Sequence, residues 1–330
     1  MDRCRARHRR CRPLPWRQTM VGATLAVLCA ASEALARDPA AEDSGEARPE
    51  ARLALPELPA AAPEDEALSE DARRFRTRLV LWGAPGVVAA YGAANWWSDD
   101  ASGFHTVSEG WFGANTYSGG ADKLGHGFSA YVGTRVVTWA FDWAGNSRED
   151  SMRMAGLLAL GTFMAIEVFD GLTEQYGFSH EDALAGIAGV ALGYAQERYP
   201  ALDDVLDFRV RYRRSDDAKR LGEADPVSDY SGQTFFVVAK AAGIPSLRRS
   251  PWTRYLELAV GYGTRGYEPN DGHPADPHRL LYAGVSLNLS EILNDTVFRH
   301  HRGSRAQGIT NGVLEFVQVP GTGAYAEHRF

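Results

Sequence analysis

Apolar residues occur in four long blocks through the middle of the chain, then switch to alternation past Pro200. The blocks are Leu79–Trp97, Leu124–Phe141, Met154–Phe169 and Ala183–Ala195, and each predicts a helix. Clusters at Ser118-Gly-Gly120 and Gly145-Asn-Ser147 separate them. Only the first block, nineteen residues without a charge, is long enough to span a bilayer alone. Helices that are apolar all round belong in a bundle core or in lipid. Trp96, Trp97, Trp111, Trp139 and Trp143 fit either an interfacial belt or core and rim positions.

Beyond Pro200 the period is two. Leu206, Phe208, Val210 and Tyr212 alternate with Asp207, Arg209 and Arg211. Leu256, Leu258, Val260 and Tyr262 repeat the pattern, and so do Leu281, Ala283, Val285, Leu287 and Leu289. Thr234–Val238 and Val313–Val319 are further candidate strands. Such runs predict half-buried antiparallel strands. The chain ends in Phe330, as many outer-membrane barrel chains do, but about five strands fall short of a closed barrel. The expected fold class is therefore α+β. A membrane-associated bundle of about four apolar helices leads into an antiparallel β-rich region that packs on it or lies against a membrane.

The N-terminal segment changes the picture of where this fold works. Residues 1–18 carry seven Arg and one Asp. The apolar run Met20–Ala31 follows, and then Ala34-Leu35-Ala36. That order reads as a secretory signal peptide over residues 1–36. Lipidation at Cys29 is disfavoured, because Leu28 before it is large for a lipobox. Cys4, Cys11 and Cys29 all precede the cleavage site, so neither disulfides nor thiol chemistry are expected in the mature chain. Residues 37–72, rich in Ala, Pro and acid and without an aromatic ring, predict a disordered tether. The expected organisation continues with a helical domain at 73–200 and the β-rich region at 201–330. The formal charge of −7 becomes −12 after cleavage. No basic patch for nucleic acid is visible, and a membrane lipid or an envelope protein is the expected partner.

Candidate chemistry sits among the apolar helices. Asp122 and His126 are four apart at the start of the second helix and share a face. Lys123 stands in the first turn, where a cation opposes the helix dipole. Pairing with Asp122, or reach to Glu167 or Asp170, would offset that cost. Glu167 follows thirteen uncharged residues and needs a partner or a raised pKa. Asp170 shares its face, and Glu174 joins them if the helix continues. Asp182, Gly186, Gly189 and Gly193 form one small-residue stripe, so another helix can approach with Asp182 at the mouth. Convergence of these ends would put Lys123, His126, Glu167, Asp170 and Asp182 in one site beside Asp122. Such a site could bind a divalent metal, act as general acid and base, or lock helix ends by ion pairs. Its identity as a metal site is left open, and no cofactor motif is present.

The segments Gly119-Gly-Ala-Asp-Lys-Leu-Gly-His126, Ile166-Glu-Val-Phe-Asp170-Gly and Gly177-Phe-Ser-His-Glu-Asp182 resemble the YfiM-type family, a domain of unknown function described as predicted periplasmic lipoproteins. The layout also resembles VanZ-like membrane proteins, more distantly. Gly186 stands where relatives place Asn or Asp. The resemblance covers residues 75–210 and implies an envelope location and a helical bundle. Two functions follow as expectations. One is a structural or assembly factor of the periplasm or outer membrane, with inner-membrane insertion as the alternative address. The other is an enzyme acting on a lipid or cell-wall intermediate. There His126 would be the acid–base group, Glu167 and Asp182 orienting or metal-binding carboxylates, and Lys123 an anion clamp.

Overall fold

Ser69 starts the first helix: its Oγ accepts from the Ala72 amide at 3.2 Å, and Glu70 and Asp71 complement the dipole in the first turn. A computed structural model describes residues 68–97, 101–222, 225–267 and 276–330. The signal peptide and almost all of the tether lie outside the described residues. Helix α1 (Glu70–Asn95) follows the Ser69 cap and so begins inside the last three residues of the segment expected as a tether.

The helical layer continues with α2 (Ala121–Trp143), α3 (Arg148–Asp170) and α4 (His180–Arg198). Ser147 caps α3 and Ser179 caps α4 through their hydroxyls, at 3.1 and 3.2 Å from the Asp150 and Asp182 amides. Two short parallel strands, β1 (Thr106–Val107) and β2 (Phe178–Ser179), hold the loop after α1 against the entry to α4. The glycine stripe of α4 packs on α2. A Cβ at Gly189 would overlap the Gly127 carbonyl, and one at Gly193 would lie 2.9 Å from the Tyr131 carbonyl.

Helix α5 (Pro200–Val205) leads into the sheet. Its strands are β3 (Leu206–Tyr212), β4 (Gln233–Lys240), β5 (Leu256–Arg265), β6 (His278–Leu287) and β7 (Gly323–Arg329), antiparallel and in sequence order. Short helices fill the connections: α6 (Asp216–Leu221), α7 (Pro245–Arg248), α8 (Leu289–Asp295) and α9 (Arg305–Leu314). The fold is thus α+β with an antiparallel sheet. The expected strand at Val313–Val319 is instead the end of α9 and a single bridge from Val317 to Val210. Ser304 caps that helix, which carries the segment out of extended geometry. The fifth strand is Gly323–Arg329. Its alternation sets Ala324 and Ala326 against Tyr325 and Glu327, a contrast too weak to read as period two.

Register gives the sheet two unlike faces. One row runs Phe208, Val237, Val260, Ala283, Ala326, and the next runs Ala239, Leu258, Val285, Ala324. Over β3 and β4 this apolar face meets α2, where Tyr131, Phe208, Phe235 and Phe316 form one core with Phe128 and Trp139 around it. Over β5 and β6 it is exposed, with Leu258 at 66% and Val260 at 55%. The opposite face is buried although it carries charge. Arg209 bridges Asp207 and Glu257, Ser286 donates to Glu257 at 3.0 Å, and Lys240 pairs with Asp207. Mutual pairing satisfies these groups, and they share the buried face with an apolar core of Phe236, Val238, Ala259, Leu280 and Tyr282.

Among the described residues one helix, α3, is long and apolar enough to cross a membrane. This corrects the expectation that Leu79–Trp97 alone could span. That block is charge-free but made largely of Gly, Ala, Pro, Tyr, Trp and Asn, and its helix opens with a charged first half. Four helices stand where the four apolar blocks lie, and α1, α2 and α4 are not both long and apolar enough to span a bilayer, so the expected bundle of four apolar helices is reduced to one apolar helix among four.

Candidate functional site

Three consecutive left-handed residues deliver the site. Ser118, Gly119 and Gly120 have φ of 45°, 62° and 86°, a turn that only short side chains tolerate. A Cβ at Gly120 would strike the Trp111 carbonyl. The chain then enters α2 with Asp122 and Lys123 facing inward, each 1% exposed.

The Lys123 ammonium is ringed by carboxylates. It pairs with Asp122 and Glu109, and with Asp182 Oδ1 at 3.0 Å. Burial works to lower its pKa, but the three acids outweigh burial and hold it above the ordinary value. The pairing with Asp122 was expected. Reach to Glu167 or Asp170 is not observed, since those two are engaged elsewhere. His126 Nδ1 lies 3.1 Å from Glu167 Oε1, and the Trp97 indole donates to Asp170 Oδ1 at 2.7 Å. Glu174 is exposed beyond the end of α3, which stops at Gly171. Asp182 does stand at the mouth of the glycine stripe, and its amide is held by the Ser179 cap.

Asp122, Lys123, His126, Glu167, Asp170 and Asp182 therefore come together. Except for the buried Lys123, they line one cavity of about 360 Å³. Its far wall is apolar, built from Phe128, Phe163, Ile166, Val210 and Phe235. Such a volume suits a small ligand or one segment of an amphiphile. Sequence reasoning missed Glu109, Tyr117, Tyr176 and Tyr230. They sit in loops and short turns without periodicity, and Tyr230 arrives from the sheet side. A buried lysine beside one aspartate was the available hint that more carboxylate had to be near.

Crowding divides the acids into two kinds. Burial, with Asp182 beside it, pushes Glu109 up to about 9. Burial also raises Asp122, despite Lys123. Asp182 goes the other way: burial opposes its charge, but His126 and Lys123 hold its pKa below the usual range. His126 is raised to about 10, because Asp182 and Glu167 outweigh the burial that favours a neutral ring. At neutral pH the imidazole is a cation, suited to donating a proton or holding an anion rather than to acting as a base.

Two triads could hold a metal ion. His126, Glu167 and Asp182 place ligand atoms within 4.8 Å of one another, and so do Glu109, Asp122 and Asp182. The second space already holds the Lys123 ammonium. The first is a nitrogen-and-oxygen set of the kind that suits zinc or manganese, with His126 deprotonated on binding.

Asp170 gives the site a pH signature. Burial raises its pKa to about 6, above its unfolded value. Its neutral form is favoured in the fold, so its contribution is full in acid and is lost as pH rises from about 4 through about 6. Asp170→Asn keeps an acceptor for Trp97 and removes the charge. It is expected to stabilise the protein at pH 7 by about 1–3 kcal/mol and to leave stability at pH 4 unchanged, as read from urea denaturation at both values.

Residues 108–198 match the model of a family described as predicted periplasmic lipoprotein (DUF2279). The DUF2279 segment contains all seven ionisable groups of the site, from Glu109 to Asp182, and agrees with the YfiM-type reading of the sequence. The walls at Val210, Tyr230 and Phe235 lie outside it. The family description supports a periplasmic, envelope location for the chain. No curated protein and no solved structure matches it.

Proposed function

We propose that this is an exported structural or assembly factor that associates with the periplasmic side of the outer membrane. The observation that carries this reading is the exposed apolar face of the sheet over β5 and β6. Leu258, Val260, Val285 and Leu287 face outward and are exposed, while Asp207, Arg209 and Glu257 are buried behind them. An exposed apolar face of this kind marks a membrane or protein contact. Under this reading the signal peptide is cleaved, the tether gives reach, and the ionic cluster locks the helix ends. Fractionation tests it. A C-terminally tagged chain is expected at mature size in the outer-membrane pellet after carbonate extraction. Cys29→Ala is expected to stay there, because the apolar face and not a lipid holds it. Leu258→Asp with Val285→Asp, both at exposed positions, is expected to release folded protein. A wild-type chain found in the soluble or inner-membrane pool refutes the assignment.

The cavity favours a second reading, an enzyme acting on a lipid or cell-wall intermediate. A cationic His126 next to Glu167 can donate a proton, and the apolar wall can hold an acyl or prenyl segment. Glu167 and Asp182 would orient it or hold a metal.

A further inference from the structure

Basic residues that are scattered in sequence meet at one end of the sheet. Arg248 ends α7 and Arg249 follows it, Arg254 precedes β5, Arg299 and Arg302 follow α8, and Arg305 opens α9. Asp295 ties the two segments. It pairs with Arg254, takes Arg302 Nη2 at 2.9 Å, and accepts from the Tyr255 hydroxyl at 2.7 Å. The Asn288 amide donates to the Tyr255 carbonyl at 2.8 Å, which anchors the same corner to the end of β6. The two segments thus carry six arginines and two acids, Asp295 and Glu291, and Asp295 is already shared by two guanidinium groups. Arg248, Arg249 and Arg299 are exposed and make no ion pair among the described residues.

Apolar side chains are interleaved with this charge. Trp252 is 79% exposed, and Leu247 and Val297 are exposed beside it. The corner runs directly into Leu256 and Leu287, the ends of β5 and β6 on the outward face. A tryptophan among arginines at the edge of an apolar face matches the layering of a bilayer surface. The ring and aliphatic groups reach the acyl boundary, and guanidinium groups meet phosphate. A net-acidic protein needs a local reversal of sign to approach an anionic surface, and this corner supplies one.

We propose that the Leu256–Leu287 end of the sheet, with Trp252 and Arg248, Arg249 and Arg299 around it, docks on anionic phospholipid headgroups. The inference rests on the membrane association proposed above and names the lipid charge and the residues that read it. The apolar face contributes contact with any bilayer, and the arginine corner contributes preference for negative charge.

Vesicle flotation with the purified full chain separates the two claims. The probes are phosphatidylcholine vesicles with and without phosphatidylglycerol. The wild type is expected to bind the anionic vesicles more tightly, and added salt is expected to remove the preference. Arg248→Ala with Arg249→Ala is expected to weaken anionic binding about 30-fold and leave binding to neutral vesicles unchanged. Both positions are exposed, so the melting temperature should stay at the wild-type value. Loss of Trp252 in Trp252→Phe is expected to remove a blue shift in fluorescence seen on anionic vesicles. Equal binding to both compositions overturns the docking proposal and leaves membrane association standing. An anionic preference that survives in the double arginine variant also overturns it. Failure to bind either vesicle overturns both.

Discussion

Lys123→Met is expected to destabilise the protein by about 3–5 kcal/mol, the largest single effect in the site. The change keeps the length of the side chain and removes only the ammonium. Glu109, Asp122 and Asp182 would then face one another without a cation. Asp122 Oδ1 is already buried without a hydrogen bond, and losing the ammonium would leave more carboxylate oxygens in that state. Glu109 already holds a proton at neutral pH, so Asp122 and Asp182 would have to take up more, and the loss should shrink as pH falls. Chemical denaturation at pH 5 and pH 7 measures this. Adding Asp122→Asn should restore part of the stability by removing one negative charge. A melting curve of Lys123→Met indistinguishable from wild type would refute the helix-locking role. His126→Asn gives the complementary test. It places a neutral donor near Glu167 and should preserve the fold. Envelope function that survives this change fits the structural reading. Function lost in a folded protein fits the enzyme.

Gly189→Leu is expected to cost about 3 kcal/mol, since overpacking forces the backbone to move. The nearest neighbour of the added Cβ is the Gly127 carbonyl, a backbone atom that no rotamer change can shift. Helices α2 and α4 would have to separate. Separation would pull Asp182 away from Lys123, so the pairing beside the cavity should fail together with the packing. Urea denaturation gives the magnitude. Gly161→Ala is the control. It lies in helix α3 with open space around its Cβ and should gain about 0.5–1 kcal/mol from helix propensity. Equal effects at the two glycines would show that close approach is not what Gly189 provides.

Local signals carried much of the architecture. Apolar blocks, Ser caps at residues 147 and 179, and the i, i+4, i+7 and i+11 spacing of Asp182 with its glycines are properties of single helices. Short-range geometry therefore determined them. Three of the five strands were legible for the same reason, as strong alternation over seven or more residues. Edge strand β7 was not, because Ala on one face gives no contrast. The candidate acids and His126 stood out because charge is rare inside such blocks.

What the sequence by itself determined, then, is a set of amphipathic and apolar elements and the ionisable residues at their ends. Pairing was decided only by tertiary structure. Glu109 enters from a loop without periodicity, Lys123 meets Asp182 from α4 rather than Glu167, and Tyr230 closes the cavity from the sheet side. Direction was decided there too. Period two says that residues alternate between faces but not which face is buried. Here Arg209 and Glu257 satisfy each other inside while Leu258 and Val260 stay outside. The arginine corner has the same origin. Its charges lie about fifty residues apart in a net-acidic chain, and one shared carboxylate, Asp295, gathers them. Long-range electrostatic pairing depends on which elements meet, and no local pattern encodes that.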